Sequence, residues 1–351
     1  MIYRCSEITL TTILSISYFF QDFEMTLREI IFRCFLAVLL IASISSCVNT
    51  YQAKTLTPNL SFSVNADMQN LKLQQARFGH AAVNDGQFLY ILGGTGNSLR
   101  GDIEVIDLQT GNTKVLADKI KPRRYFSAVH DGKESIYIFG GMSEQNNRLW
   151  FESSIEVFNT RTQNISNLKD FTLPTRINRA VLHNNTVYIL GGDRPSDWGL
   201  MSTNRMFAFD LSTHQWRSLA DMPTAKATSA VVYQDHIYVI GGFDAQNPMS
   251  VFERYDINNN TWETLPSLPV PTSANSSAVV GNKLFSFGDY QQLDRTLVYD
   301  FETQQWQQIN IGYLPARHAA ITTDNNAIYI TGGTRKTRRG AIDVVQKLVI
   351  N

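Results

Sequence analysis

The chain has 351 residues, of which 43% are hydrophobic and 18% are charged, so it is long enough and apolar enough to bury a core. Its 31 basic and 31 acidic side chains cancel, which excludes a global electrostatic attraction to nucleic acid or to an anionic membrane. The three cysteines are Cys5, Cys34 and Cys47. Neither a disulfide nor a thiol nucleophile is therefore available in the rest of the chain.

The N-terminal region has the pattern of an export signal. Arg28 and Arg33 precede an apolar run at 35–44, and small residues lead from there to Cys47. A run of this length suits a secretory signal and is too short to span a bilayer. The stretch "ISSC" at 44–47 resembles the bacterial lipobox. That resemblance implies cleavage before Cys47 and acylation of this residue.

We therefore predict three segments along the chain. Residues 1–46 form the signal region, with Met25 as the true start, residues 47–60 form a polar tether, and residues 61–351 form the folded domain. The expected location is the bacterial outer membrane, facing either the periplasm or the cell surface. An uncleaved anchor helix is the alternative, because a second apolar stretch covers residues 8–20.

A repeated hexapeptide dominates the remaining sequence. Its copies are spaced by 47, 51, 50, 47 and 44 residues, and they are "LYILGG" (89–94), "IYIFGG" (136–141), "VYILGG" (187–192), "IYVIGG" (237–242), "LFSFGD" (284–289) and "IYITGG" (328–333). Each copy is an aromatic and β-branched run that ends in glycine, which is typical of a buried strand followed by a turn. A fixed period near 50 residues indicates a repeat architecture.

Other elements accompany each hexapeptide in a constant order. A small-residue strand comes before it, a third strand ending in an aromatic residue and Asp comes after it, and a fourth strand carries Trp216, Trp262 or Trp306. This pattern resembles the kelch repeat over residues 77 to about 350. The resemblance implies an all-β fold, a six-bladed kelch β-propeller with four antiparallel strands in each blade.

The ring needs a closing strand, because an open edge invites pairing with other chains. The last repeat stops after its third strand, at 341–350. The N-terminal segment 61–68, "SFSVNADM", aligns with "QWRSLADM" at 215–222 and places Phe62 where Trp216 stands. We predict that residues 61–68 supply the outer strand of blade 6.

We name the four strands of a blade a to d, so that the b-c and d-a connections share one rim of the propeller. The longest b-c loops are 142–154 and 193–206, and they carry Trp150 and Trp198. Large aromatic residues on variable loops over a rigid scaffold favour an interaction site. The alternative is that these side chains fold back and form local core.

Arginines concentrate on the same predicted rim. Of 17 arginines in the repeat region, 14 fall in b-c or d-a segments, whereas acidic residues mark the a-b turns. Guanidinium groups match carboxylates and phosphates, and kelch propellers that bind acidic peptides use arginines of this rim. The alternative is that arginines at the start of strand a bond to the neighbouring blade. The predicted ligand-binding residues are Arg77, Arg124, Arg176, Arg317, Arg335, Arg338, Arg339, Trp150 and Trp198.

Catalytic signatures are mostly missing from the sequence. No phosphate-binding loop or nucleophile elbow occurs, and the six histidines lie singly. We therefore predict no catalytic residue, metal or cofactor, and no nucleic-acid partner. The expected protein is a monomeric, lipid-anchored propeller that binds a protein, an acidic peptide or an anionic glycan. The enzymatic alternative is a carbohydrate epimerase similar to the kelch-type N-acetylneuraminate mutarotases, although the long Glu- and Arg-bearing insertions of those enzymes have no counterpart here.

Overall fold

A computed structural model describes residues 62–64, 71–168, 171, 174–324, 326–335 and 340–350. The predicted signal region, the tether and Cys47 lie outside these residues. In the part of the chain that is described, no helix is long and apolar enough to cross a membrane.

The described residues form 28 β-strands. In chain order these are β1 (Phe62–Val64), β2 (Ala81–Asn84), β3 (Phe88–Leu92), β4 (Ile103–Asp107), β5 (Thr113–Leu116), β6 (Ser127–His130), β7 (Ser135–Phe139), β8 (Met142–Gln145), β9 (Arg148–Phe151), β10 (Ile155–Asn159), β11 (Ile165–Leu168), β12 (Arg179–His183), β13 (Thr186–Leu190), β14 (Asp193–Ser196), β15 (Gly199–Ser202), β16 (Met206–Asp210), β17 (Trp216–Ser218), β18 (Ala227–Tyr233), β19 (His236–Phe243), β20 (Phe252–Asp256), β21 (Thr261–Leu265), β22 (Ser276–Val280), β23 (Lys283–Phe287), β24 (Thr296–Asp300), β25 (Gln305–Ile309), β26 (Ala320–Asp324), β27 (Ala327–Thr331) and β28 (Val345–Ile350).

These strands pair into six four-stranded antiparallel sheets and two extra hairpins. The sheets are blade 1 (β2-β3-β4-β5), blade 2 (β6-β7-β10-β11), blade 3 (β12-β13-β16-β17), blade 4 (β18-β19-β20-β21), blade 5 (β22-β23-β24-β25) and blade 6 (β26-β27-β28-β1). The extra hairpins, β8-β9 and β14-β15, are the long b-c loops of blades 2 and 3.

The six blades close into a ring around an axis. Each innermost strand contacts those of both neighbouring blades, in the cycle β2, β6, β12, β18, β22, β26 and back to β2. The second strands are buried on both faces, since each blade is packed between two others. Separate apolar clusters fill the interfaces, from blades 1 and 2 round to blades 6 and 1. The predicted six-bladed propeller is confirmed.

Ring closure by the N-terminal strand is also confirmed, with one correction of register. β1 pairs with β28, Phe62 lies opposite Ile350, and Val64 lies opposite Leu348. In blade 3 the tryptophan position is opposite the residue that matches Leu348, so Val64 occupies it rather than Phe62. The expected alignment was wrong by two residues because no short c-d turn links β1 to β28 and sets their register.

Candidate functional site

In five of the six blades, a residue just before the innermost strand contributes to a ring around one end of the axis. Gly79, Tyr125, Ile177, Ala274 and His318 all have φ between 53° and 60°. We call this ring the axial mouth. Side chains rarely adopt such φ values, least of all the β-branched one of Ile177. Backbone strain of this kind occurs at functional sites, where the surrounding structure enforces it.

Backbone hydrogen bonds between blades enforce this conformation. Tyr125 N–H donates to Gly79 O over 2.7 Å, and Ile177 N–H donates to Tyr125 O over 2.7 Å. On the other side of the ring, Gly79 N–H donates to His318 O over 3.1 Å, and His318 N–H donates to Ala274 O over 3.3 Å. Backbone hydrogen bonds between neighbouring blades therefore help to hold the mouth in one conformation.

Blade 4 interrupts this frame because it is one residue short. Arg77 lies four positions before Ala81 in blade 1, whereas Lys226 lies only three positions before the matching Ser229 in blade 4. The missing residue is the one with positive φ, and the strand register shifts between Ala227 and Ser229 instead.

Inside the mouth lies a cavity of about 160 Å³ on the axis. Its polar lining consists of His80, Ser127, Asn178, Arg179, Thr228, Asn275, Ser276, Ser277, Tyr125 and His318, and no carboxylate is found among the described residues that line it. A lining of donors around a guanidinium suits a small anionic group.

Three of the predicted arginines border the axial mouth. Arg124, Arg176 and Arg317 occupy equivalent positions in blades 2, 3 and 6, each one residue before a mouth residue. The Cζ atom of Arg317 lies 3.9 Å from the Tyr290 ring centroid, and that of Arg124 lies 5.3 Å from the Tyr125 ring. Aromatic faces attract cations, so these contacts hold both guanidinium groups beside the mouth.

Arg176 differs from the other two in its charge balance. Its Nε lies 3.2 Å from Asp193 Oδ2, and Asp193 also accepts a hydrogen bond of 2.8 Å from Ser202 Oγ. Other basic residues of this rim are neutralised in the same way, since Arg100, Arg205 and Arg295 pair with acidic residues of their own blades. In contrast, Arg124 and Arg179 form no ion pair with any residue that the structure describes.

Arg179 is a site residue that the sequence did not single out among the rim arginines. It is the first residue of β12, and the matching residues in the other blades are Ala81, Ser127, Ser229, Ser276 and Ala320. Small residues are expected there because six strands converge on the axis. An arginine in a column of Ala and Ser was the signal available in the aligned repeats.

The guanidinium groups set the electrostatics of the mouth. The pKa of His318 is lowered to about 3, first by burial and then by Arg317, Arg176, Arg179 and Arg124. The imidazole is therefore neutral at physiological pH. Burial raises the pKa of the Tyr125 phenol, while Arg124, Arg176 and Arg317 oppose that rise. Both groups thus lie in a positive field, which favours an anion.

Arg77 has a structural role rather than the ligand-binding role expected from the sequence. Its side chain is 0% exposed, its Nη1 donates to Gly93 O over 2.9 Å, and its Nη2 contacts Asp102 at 2.8 Å and Glu104. Arg123 has the same arrangement in blade 2, with Gly140 O and Glu156 as partners. For these two residues the alternative of blade support is the one that the geometry favours.

The remaining predicted residues lie farther out on the rim. Arg335 is exposed in the b-c loop of blade 6, whereas Arg338 and Arg339 lie outside the described residues. Trp150 is 52% exposed on β9, and Trp198 is 97% exposed at the tip of the β14-β15 hairpin. Neither tryptophan belongs to the core, so the two hairpins present bare aromatic side chains to solvent.

Metal binding finds no support in the geometry. Within the described ranges, no group of three His, Cys, Asp or Glu side chains is placed to hold a metal ion. The mouth therefore offers hydrogen-bond donors, positive charge and aromatic faces as its chemistry.

A protein-family model matches most of the folded region. The model is the KLHDC2/KLHL20/DRC7 Kelch-repeats domain, and it matches residues 79–289 and 178–346. The two matches overlap and together include all six glycine turns.

Curated relatives show the same repeats in longer proteins. Kelch-like protein 38 of Rattus norvegicus is 28% identical over 254 residues, which are 71% of this chain and 43% of that protein. Kelch-like protein 41b of Danio rerio is 28% identical, over 53% of this chain and 30% of its own length. Beta-scruin of Limulus polyphemus is 26% identical, over 61% of this chain and 25% of its own length. The chain thus spans less than half the length of these relatives.

The solved structure of YjhT shares the fold. It matches with a TM-score of 0.69 at 15% identity, and the match covers 80% of this chain and 99% of YjhT. At this identity the match concerns the fold alone.

Proposed function

This chain belongs to the kelch-repeat family, whose propellers typically act as protein-interaction modules, and we propose that its axial mouth binds an acidic segment of a partner protein. One observation carries the proposal. The charges that act on the ring of His318 all come from arginines, and they come from three different blades. Such convergence arises only in the folded ring and gives one localised positive site on a chain of zero net charge.

The mouth has the chemistry to recognise a carboxylate. Arg124 has a buried Nε without a hydrogen-bond partner among the described residues, and its guanidinium also lies over the Tyr125 ring. A carboxylate that enters beside it would accept charge-assisted hydrogen bonds, which are stronger than neutral ones. Because the surrounding backbone is already fixed by inter-blade hydrogen bonds, little ordering cost opposes binding.

The two hairpins extend the same surface outward. Leu149 and Trp150 are 56% and 52% exposed on one hairpin, and Trp198 is 97% exposed on the other. Exposed aromatic residues on a rigid scaffold are frequent anchors in protein interfaces. We propose that they contact apolar residues flanking the acidic ones, which makes a peptide a better fit than a polyanionic glycan.

The test uses a fluorescent peptide with three glutamates and its glutamine counterpart. We expect the glutamate peptide to bind the full chain, with an affinity that falls as salt rises. Arg124→Gln and Arg317→Gln are each expected to weaken binding at least about tenfold. The matched control is Arg161→Gln, since Arg161 is an exposed arginine of a c-d turn on the opposite rim. Equal binding of both peptides, or equal loss in the control, would contradict the proposal.

Mutarotation of N-acetylneuraminate is the second candidate. The arginines that suit a peptide carboxylate suit the sugar carboxylate equally well. An acid/base pair is also required, and besides Arg179 the titratable groups at the described cavity wall are Tyr125, His80 and His318. Neither histidine, with a pKa of about 3, is a strong base. NMR of anomer equilibration tests this candidate, and an uncatalysed rate would exclude it.

We further propose that the chain is a lipoprotein anchored through Cys47 at the bacterial outer membrane. The support is the lipobox-like "ISSC" at 44–47 after an apolar run. Two or more acyl chains would hold the protein on a membrane. Mass spectrometry of the mature N-terminus after expression in a Gram-negative host checks this, and an uncleaved N-terminus would contradict it.

A further inference from the structure

We propose that Arg179 forms the base of a carboxylate-binding site inside the cavity of the axial mouth. This site deepens the proposed function, since it would take the carboxylate that reaches farthest along the axis. Ile177 precedes β12, whereas Arg179 is the first residue of that strand and lines the cavity. It is therefore distinct from the outer arginines, which precede the mouth residues.

The Arg179 guanidinium makes only one hydrogen bond to the described part of the protein. Its Nε donates to Thr228 O of the neighbouring blade over 3.2 Å. Its two Nη atoms make no hydrogen bond and no ion pair within the described residues, although the side chain lines the cavity. The Nε contact fixes the direction of the planar group, and the free edge of the fork remains for a ligand.

The described cavity wall around Arg179 is lined by neutral hydrogen-bonding groups. The wall carries the hydroxyl groups of Ser127, Thr228 and Ser276, and no described lining residue is acidic. A volume of about 160 Å³ accommodates one carboxylate and a few water molecules. The cavity thus has one unbalanced positive charge and neutral partners that can share an anion.

Two buried polar atoms in the same wall also lack partners. His80 and Asn178 are 5% and 2% exposed, and neither His80 Nδ1 nor Asn178 Oδ1 has a hydrogen-bond partner among the residues that the structure describes. Buried polar atoms are usually satisfied by protein or by an occupant. His80 Nε2 contacts Thr331 Oγ1 at 2.8 Å, so its ring is held while Nδ1 remains available. A carboxylate bound to Arg179 would accept a hydrogen bond from His80 Nδ1 in the tautomer that protonates this atom, whereas Asn178 Oδ1, itself an acceptor, would need a water molecule beside the carboxylate.

The charge state of the group agrees with this arrangement. Burial lowers the pKa of Arg179 to about 10, and no acidic side chain of the described residues opposes the shift. Arg179 remains protonated at physiological pH. An uncompensated charge of this kind is unfavourable for folding by itself. Sites that sacrifice stability for function are common in proteins.

The experiment titrates ¹³C-labelled acetate into the full chain at constant ionic strength and follows the acetate line width by NMR, with neutral acetamide as the isosteric control. We expect acetate to bind with a Kd on the order of 1–10 mM and acetamide at least about tenfold more weakly. Arg179→Ala should weaken acetate binding at least about tenfold, and Arg179→Lys less, since it keeps the charge and loses the fork. Arg161→Ala should not change it.

A structural role for Arg179 makes the opposite prediction about stability. If the site is functional, Arg179→Ala should melt at the same temperature as the parent chain or higher, because an unpaired charge is removed. Arg179→Gln keeps a polar side chain and replaces the Ala variant if that variant does not fold. Unchanged acetate binding in Arg179→Ala or Arg179→Gln would overturn the proposal.

Competition between acetate and the three-glutamate peptide separates the possible sources of the carboxylate. Displacement of the peptide by acetate, together with loss of both in Arg179→Ala, would assign the site to the partner's side chain. Acetate binding without peptide binding would assign it to a free small anion and contradict only the proposed function. Peptide binding that needs Arg124 but not Arg179, without acetate binding, would overturn only the inference about Arg179.

Discussion

Arg123 and Arg124 are neighbours in the chain and belong to two different regions of the propeller. Arg123 is 0% exposed and pairs with Glu156 between the strands of blade 2. Arg124 lies at the axial mouth over the Tyr125 ring, with no described carboxylate as a partner. One region uses an arginine to complete a blade, and the other is the region where we propose that arginines bind a ligand.

A repeat-internal pattern distinguishes the two regions. The buried basic residues Arg77, Arg123 and Lys226 occur in blades 1, 2 and 4, and each pairs with a glutamate at the second position of strand c. In blades 3, 5 and 6 the basic position holds Thr175, Thr272 and Ala316, and the glutamate position holds Phe207, Leu297 and Gln346. At this position, a buried basic residue therefore occurs in the blades whose own repeat supplies a glutamate to pair with it.

The largest expected effect comes from removing the buried member of the adjacent pair. Arg123→Ala should lower the free energy of unfolding by about 3–5 kcal/mol, because Glu156 would remain buried without a counter-charge. Urea unfolding at neutral pH measures this. A loss below about 1 kcal/mol would contradict the assignment of Arg123 to the blade.

Blade 3 carries two uncharged residues at the positions of Arg123 and Glu156, so copying them into blade 2 should restore the lost stability. The double variant Arg123→Thr with Glu156→Phe copies Thr175 and Phe207, so no buried charge is left. Replacement of a buried ion pair by well-packed residues is often neutral. We expect the double variant to recover at least half of the stability lost in Arg123→Ala. Additive loss from the two substitutions would refute the pairing rule.

Two histidines that line the cavity should make the stability of the protein depend on pH. His80 lies beside Arg77 and His318 lies at the mouth, and burial is the first cause that lowers the pKa of each to about 3 from 6.5. The folded state therefore binds fewer protons, and this stability is full above about pH 6.5 and is lost as pH falls toward 3. One unit below 6.5, the loss is about 1.4 kcal/mol for each group.

One variant and one ligand titration test these contributions. His318→Gly is compatible with the backbone, since Gly79 has the same conformation in blade 1, and it should reduce the acid-induced loss. A bound carboxylate should raise the pKa of both His318 and His80, since both line the cavity, as followed by NMR of the imidazole carbons. Unchanged pKa values for both histidines would place the anion elsewhere.

The half-buried member of the adjacent pair should affect stability little. Arg124→Ala removes a side chain without an ion pair to described residues, so the free energy of unfolding should change by less than about 0.5 kcal/mol. Binding of the three-glutamate peptide should nevertheless fall. A large loss of stability in Arg124→Ala would remove the distinction between the two regions.

The smallest effect on folding is expected at the hairpin tip. Trp198 is 97% exposed, so Trp198→Ala should leave the melting temperature unchanged within about 1 °C. Peptides with an apolar residue next to the glutamates should bind more weakly to this variant. Peptides that lack such a residue serve as the control. An equal loss of affinity for both peptides would show that Trp198 does not contact the apolar residue.

Some features of the site could be inferred from the sequence and others could not. The rim that carries Arg124, Arg176 and Arg317 followed from strand order, because antiparallel strands place alternate connections on the same side. The burial of Arg77 did not follow, since its partner Glu104 lies 27 residues away. Arg179 was hidden among other arginines of the d-a segments, and its position became distinctive only when the strand registers aligned the six repeats.

The sequence by itself determined the number of blades, the order of their strands and the closure of the ring by the N-terminal segment. These features depend on periodic apolar runs and glycine turns, which are local and repeat six times. Only the tertiary structure decided which arginines face the axis, which are buried with a glutamate, and that blade 4 lacks a mouth residue. Those properties arise where six strands converge, and the distances between blades are set by packing across the whole ring.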